Sequence, residues 1–156
     1  MPWAEFHAIL SCMKTNSTVK LIDNYPFAFR NNPDWTYDNL PCKSGWLTVM
    51  ERLFDSIEQY LKSQPKKSKI VKNIKFGQIK EKFGELVIYM DAADDEIYKR
   101  VEEAENQAKH ICELCGRQGM MSRSGCCHWK TLCNDCCVIH NYEPATHRKI
   151  VLKKEK

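Results

Sequence analysis

Two cysteine pairs, Cys112 with Cys115 and Cys133 with Cys136, constrain this chain more than any other feature. Their spacing is C-x2-C-x17-C-x2-C. Each short turn aims two sulfurs at one point, and the stretch between the pairs is long enough for a hairpin. The pattern is that of a tetrahedral Zn²⁺ site. Four thiolates fill the tetrahedron and leave no position for water, so the expected ion is single and structural. Binding the metal and folding the C-terminal third are then one event.

The residues around the pairs refine this. Gly116 permits a tight backbone after the second ligand, and Gly119 and Gly125 sit near the bends of the intervening hairpin. No glycine follows Cys136; Cys137-Val138-Ile139-His140 continues instead, until Pro144 stops it. That asymmetry favours a treble clef, with the second pair on the first turn of a helix, over a zinc ribbon with matching knuckles. Cys126, Cys127, His128, Cys137 and His140 are further donors near the site, but no other pair has the same spacing. Whether any of them touches metal stays open at this stage. Trp129 is expected to pack under the hairpin.

At 156 residues the chain suits one domain, or one domain with a small metal-stapled appendage. The expected division is an α+β core over 1–111 and a zinc module with a basic tail over 112–156. A hydrophobic share of 43% supports a real core. No apolar run approaches the roughly 20 residues of a membrane span, and Met1-Pro2-Trp3-Ala4-Glu5 lacks a basic n-region and a long apolar stretch, so a secretory signal is not expected. Nine cysteines is an odd number for a disulfide scaffold, so the expected setting is a reducing cytoplasm with thiolates used for metal. Cys12 and Cys42 read as small apolar core residues.

Upstream of the metal motif the periodicity is legible. Ser44 reads as an N-cap for a helix over about 45–62, whose Trp46, Met50, Leu53, Phe54, Ile57, Tyr60 and Leu61 share one face. Residues 63–68 read as a loop, and about 70–90 as a β-hairpin turning at Lys82-Phe83-Gly84. Asp94 or Asp95 caps a second helix over about 95–111, with Ile97, Val101, Ala104, Ala108 and Ile111 as its apolar seam. That helix runs directly into Cys112, which argues for a module fixed rigidly to the core. Tyr25-Pro26-Phe27-Ala28-Phe29 is an aromatic patch expected to pack on the core, and a short helix is expected near Glu5 to Met13.

The net charge of +4 is unevenly spread. Lysines gather between Lys66 and Lys82 and again in the tail after His147, and acids gather between Asp91 and Glu105. Such asymmetry suits a partner chosen electrostatically. Gln78, Lys80, Lys82 and Phe83 at the hairpin, with Arg117, Arg123 and Lys130 in the metal module, are the candidate partner-binding residues. For Phe83 the simpler expectation is a core position beside Ile79, because aromatic side chains bury readily.

The chain resembles the small zinc-binding proteins of phages and prophages. The matching stretches are Tyr25-Pro26 with Phe29, Gly45-Trp46, Gln78-Ile79-Lys80-Glu81-Lys82-Phe83-Gly84-Glu85-Leu86, Ala104-Glu105, Cys112-Glu113-Leu114-Cys115-Gly116, and Trp129 with Thr131-Leu132-Cys133. In order they cover most of residues 24 to 137. The family often has Arg after the hairpin leucine, where this chain has Val87, and its second cysteine pair varies. The resemblance implies a phage-encoded accessory protein acting in the cytoplasm of a bacterial host. It implies no agreed reaction or substrate.

Three functions are in play. The favoured one is a non-enzymatic protein that binds and modulates a host macromolecule, a host protein before all, for example by inhibiting a defence system. The second is a DNA- or RNA-binding zinc finger, resting on the lysines, Arg117, Arg123, Lys130 and Trp129. The third is an HNH-like nuclease, for which His128 is the single candidate base and the space between the cysteine pairs is short. No Ser-His-Asp pattern, phosphate-cradling glycine loop or HExxH motif occurs. A membrane partner or small-molecule substrate is not expected.

Overall fold

The computed structural model describes residues 21–32, 43–66 and 68–145. The expected helix at Glu5–Met13, the core reading of Cys12 and Cys42, and the basic tail lie outside them. The architecture is mixed helix and sheet. Residues 21–24 are helical, followed by α1 (Pro26–Phe29), a 3-10 turn (Ser44–Trp46) and α2 (Leu47–Ser63). Next come α3 (Lys69–Asn73), β1 (Lys75–Lys82), β2 (Glu85–Ala92) and α4 (Asp95–Ala108). The C-terminal region holds β3 (Met120–Ser124), β4 (Trp129–Leu132), α5 (Asn134–His140) and β5 (Tyr142–Pro144). β1 and β2 form a two-stranded antiparallel sheet; the second sheet has the order β4-β3-β5. No helix among the described residues is long and apolar enough to cross a membrane.

The main core forms where three apolar faces meet. α2 contributes Val49, Met50, Leu53, Phe54 and Ile57, all buried at helical spacing. α4 contributes Ile97, Val101, Ala104 and Ala108. The hairpin contributes Phe76, Ile79, Leu86 and Ile88. Phe76 and Ile79 are three residues apart, so a regular strand would send them to opposite faces. The register shifts between Phe76 and Gln78, and this bulge lets both point inward. Phe54 is fully buried, with Tyr25, Phe27, Phe29 and Phe76 around it at centroid distances of 5.5, 6.1, 5.7 and 5.4 Å. Most of these contacts are edge-to-face, the geometry aromatic quadrupoles prefer. The aromatic patch expected to join the core does so.

Several local expectations need correction. The Ser44 hydroxyl does not cap α2; it donates to Leu114 O at 3.0 Å, and the helix enters through the 3-10 turn. Residues expected to open the hairpin strand at Ile70 instead form α3, whose Ile70 carbonyl accepts from Ile74 N. Asp94 is the cap of α4, its carboxylate accepting from Ile97 N at 3.0 Å. β5 was not expected; it forms because Asn141 takes a left-handed conformation after α5 and turns the chain back along β3.

Candidate metal centre

The hairpin β3–β4 separates the cysteine pairs, and α5 begins where the second pair lies. Cys133 is the N-cap of α5 and Cys136 falls in its first turn. Gly116, at φ +78°, bonds its N–H to Cys112 O at 2.9 Å and closes the turn around the first pair. The result is a cluster in which the sulfurs of Cys112, Cys115, Cys133 and Cys136 lie within 4.8 Å of one another. All four are free thiols, and Cys115 Sγ to Cys133 Sγ measures 3.5 Å. A tetrahedral ion with bonds of about 2.3 Å to sulfur needs sulfur separations of about 3.8 Å. The side chains fit a structural metal site.

Charge supports the same reading. Burial raises the Cys112 thiol, against backbone hydrogen bonds from Cys133, Cys115 and Leu114. Burial, and then the hydrogen bonds shared with Cys133, Cys112 and Cys115, push Cys136 far above the usual thiol range. For Cys115 burial acts upward too, but hydrogen bonds from Arg117, Cys112 and Cys133 bring it down to about 6. Burial thus favours the protonated form at Cys112 and Cys136, and a divalent cation would offset this, because the thiolate is the ligand and binding releases the protons.

Arg117 covers the exposed side of the cluster. Cys115 is the one exposed member, and Arg117 Nε donates to its sulfur at 3.5 Å while Nη1 donates to Asp135 Oδ2 at 2.6 Å. Among the described residues, no other group of three or more His, Cys, Asp or Glu gathers closely enough to hold an ion. Cys137, left open by the sequence, turns away and donates to Ser122 Oγ at 3.2 Å. Cys126, Cys127, His128 and His140 are exposed. No family model, curated protein or solved structure matches the chain.

The module is locked to the core through hydrogen bonds to backbone carbonyls. Gly45 N donates to Glu113 O at 2.8 Å, Glu113 N to Thr131 O at 2.9 Å, and Thr131 Oγ1 to Gly84 O at 2.7 Å. The Trp46 indole donates to Ile111 O at 2.9 Å. Two glycines make this approach feasible: a Cβ on Gly45 would sit 2.0 Å from Cys112 O, and one on Gly84 would sit 2.9 Å from Lys130 Cα. The entry of α2, the tip of β1–β2 and the first cysteine turn therefore meet in one contact.

Glu113, which follows Cys112 in the sequence, is fully buried. Its Oε1 accepts from Lys130 Nζ, while Oε2 has no hydrogen-bond partner. Burial raises the Glu113 carboxyl above its ordinary value; Lys130 opposes this. Nothing in the sequence singled out Glu113, because a glutamate between knuckle cysteines usually reads as solvent-facing.

The candidate partner-binding residues divide into two sets. Gln78, Lys80 and Lys82 share the outer face of β1, where Lys80 Nζ donates to Gln78 Oε1 at 2.9 Å and lies 4.9 Å from the Tyr89 ring centroid. Phe83 stands at the hairpin apex and is 70% exposed, so the expectation of a core position is overturned; Ile79 alone is buried. In the metal module, Arg117 is engaged with Cys115 and Asp135, and Lys130 with Glu113. Arg123 lies over the Trp129 ring at 5.9 Å. Trp129 is 37% exposed rather than packed under the hairpin, because it shares the outward row of the sheet with Arg123 and Glu143.

Proposed function

We propose that this chain is a non-catalytic binding protein, stabilised by one Zn²⁺ on a treble-clef module and acting on a host protein as a phage-encoded accessory factor in the bacterial cytoplasm. The observation that carries a structural rather than catalytic role for the ion is a cluster of four thiols whose ligand set saturates a tetrahedral ion. The treble-clef assignment is supported by the order knuckle, hairpin β3–β4, then a helix that starts on the second pair. Zinc is the ion favoured by four sulfur ligands in a tetrahedron. The phage and host setting comes from the resemblance of the hairpin and cysteine motifs. A protein partner is supported by exposed aromatics carried on rigid backbone, since Trp, Tyr and Arg dominate contact energetics between proteins.

A second reading, nucleic-acid binding, draws on the stacked cation and ring pairs Lys80 with Tyr89 and Arg123 with Trp129. Affinity capture of the tagged protein from bacterial host lysate separates the two. A stoichiometric protein that survives nuclease treatment is the expected result. Loss of every partner after nuclease would transfer the assignment to nucleic acid.

A further inference from the structure

The tip of the β1–β2 hairpin has a conformation that its sequence should avoid. Lys82 pairs with Glu85, so Phe83 and Gly84 form a two-residue turn, and both have positive φ, 52° and 80°. Such turns call for Asn, Asp or Gly at the first position. A bulky residue there is a backbone outlier with a cost attached. The usual compensation would be burial of the ring, yet Phe83 is 70% exposed. The chain thus holds an aromatic ring out into solvent on a strained turn.

The turn is also braced. Gly84 accepts from Thr131 Oγ1 and abuts the Lys130 backbone, so the apex stands on the metal module. Trp129, the residue before Lys130, is the second large exposed aromatic adjoining this contact. Cations accompany both rings: Lys82 Nζ lies 6.0 Å from the Phe83 centroid, and Arg123 lies over Trp129. Two nearby carboxylates are already engaged: Glu81 accepts from Gly84 N at 2.7 Å and Glu113 is buried on Lys130. Lys80, Lys82 and Arg123 stand at the surface, with Glu85 opposite Lys82 across the turn and Glu143 opposite Arg123 across the sheet.

We propose that Phe83 is an anchor that enters an apolar pocket bordered by carboxylates on a protein partner. An aromatic centre with a charged rim is the usual anatomy of a contact hot spot. The convex apex, with a single ring at its summit, suits a pocket better than a nucleic-acid strand, which needs successive stacking plates along a groove. This inference rests on the protein-binding reading above and adds the surface and the chemistry it meets.

The test is photocrosslinking in bacterial cells from p-benzoylphenylalanine placed at position 83, with the same group at Tyr98, an exposed position on α4, as the comparison. The expected result is a protein adduct from position 83 at a yield at least about tenfold above that from position 98, as for a hot-spot residue. Its mapped site should place apolar side chains beside Asp or Glu. Reversing Lys80 and Lys82 to Glu should cut that yield by a similar factor. A nucleic-acid adduct at 83, or a yield indifferent to charge reversal, overturns the proposal. Protein adducts from position 98 alone would overturn the surface assignment and leave the binding reading standing, whereas protein adducts from neither would sink both.

Discussion

Gly45→Ala tests whether the metal module and the core are one body. The added Cβ would lie 2.0 Å from Cys112 O and 2.6 and 2.7 Å from the carbonyl carbon and oxygen of Glu113. These are backbone atoms on the cysteine turn, so no side chain can swing away. Forcing them apart is overpacking, at about 1–3 kcal/mol. The Gly45 N–H to Glu113 O bond at 2.8 Å would be lost with it, adding about 1 kcal/mol. The sum is about 2–4 kcal/mol, or a fall in Tm of roughly 4–16 °C for a chain of this size. Gly125 is the matched comparison, since nothing lies within 4 Å of a Cβ there. Thermal melting of the metal-loaded protein, with chelator-accessible metal followed in parallel, should show Gly45→Ala melting earlier and releasing metal faster, and Gly125→Ala unchanged. Equal melting curves for the two variants would refute the fused geometry and return the module to a tethered appendage.

Other perturbations follow from single contacts. Lys130→Met strands the Glu113 carboxylate inside the protein and should cost about 3–5 kcal/mol; adding Glu113→Gln should recover most of it, and chemical denaturation of both variants would show whether it does. Phe83→Asn places in the turn a residue that accepts positive φ, and should raise stability by about 1 kcal/mol, or about 2–4 °C in Tm; a lower Tm would mean that the ring supports the fold. The Tyr25 phenol donates to Asp55 Oδ1 at 2.5 Å, and burial first, then Asp55, hold its pKa above the ordinary value. A proton held more tightly in the folded state contributes stability that is present below the unfolded phenol pKa of about 10 and is lost as pH rises beyond it. Stability measured by urea titration across alkaline pH should decline above about pH 10, and the decline should be shallower in Tyr25→Phe.

The features legible in the sequence were those written in short-range periodicity. The seam Ile97, Val101, Ala104, Ala108 and the apolar face of α2 follow from helical spacing. The cysteine cluster follows from the spacing of its pairs. Hidden features depended on contacts between distant elements. Glu113 looks like a solvent-facing glutamate until Thr131 and Lys130 are brought over it. Ser44 looks like a cap until Leu114 O accepts its hydroxyl from across the molecule. Phe83 and Trp129 were both misplaced for one reason: hydrophobicity predicts burial, but a turn apex and an outward sheet row have nothing to bury against. The bulge near Gly77, which sets the phase of β1, likewise emerges only with the pairing of β2.

The central claim is that four thiolates hold one ion on which the fold depends. Its most direct test is the metal content of the purified protein by elemental mass spectrometry, for the unaltered chain and for Cys112→Ser, with a melting curve for each. The expected result is one zinc per chain, lost or strongly reduced in the variant, with the melting transition moved well below that of the unaltered protein. A full zinc equivalent and an unchanged melting curve in Cys112→Ser would contradict it.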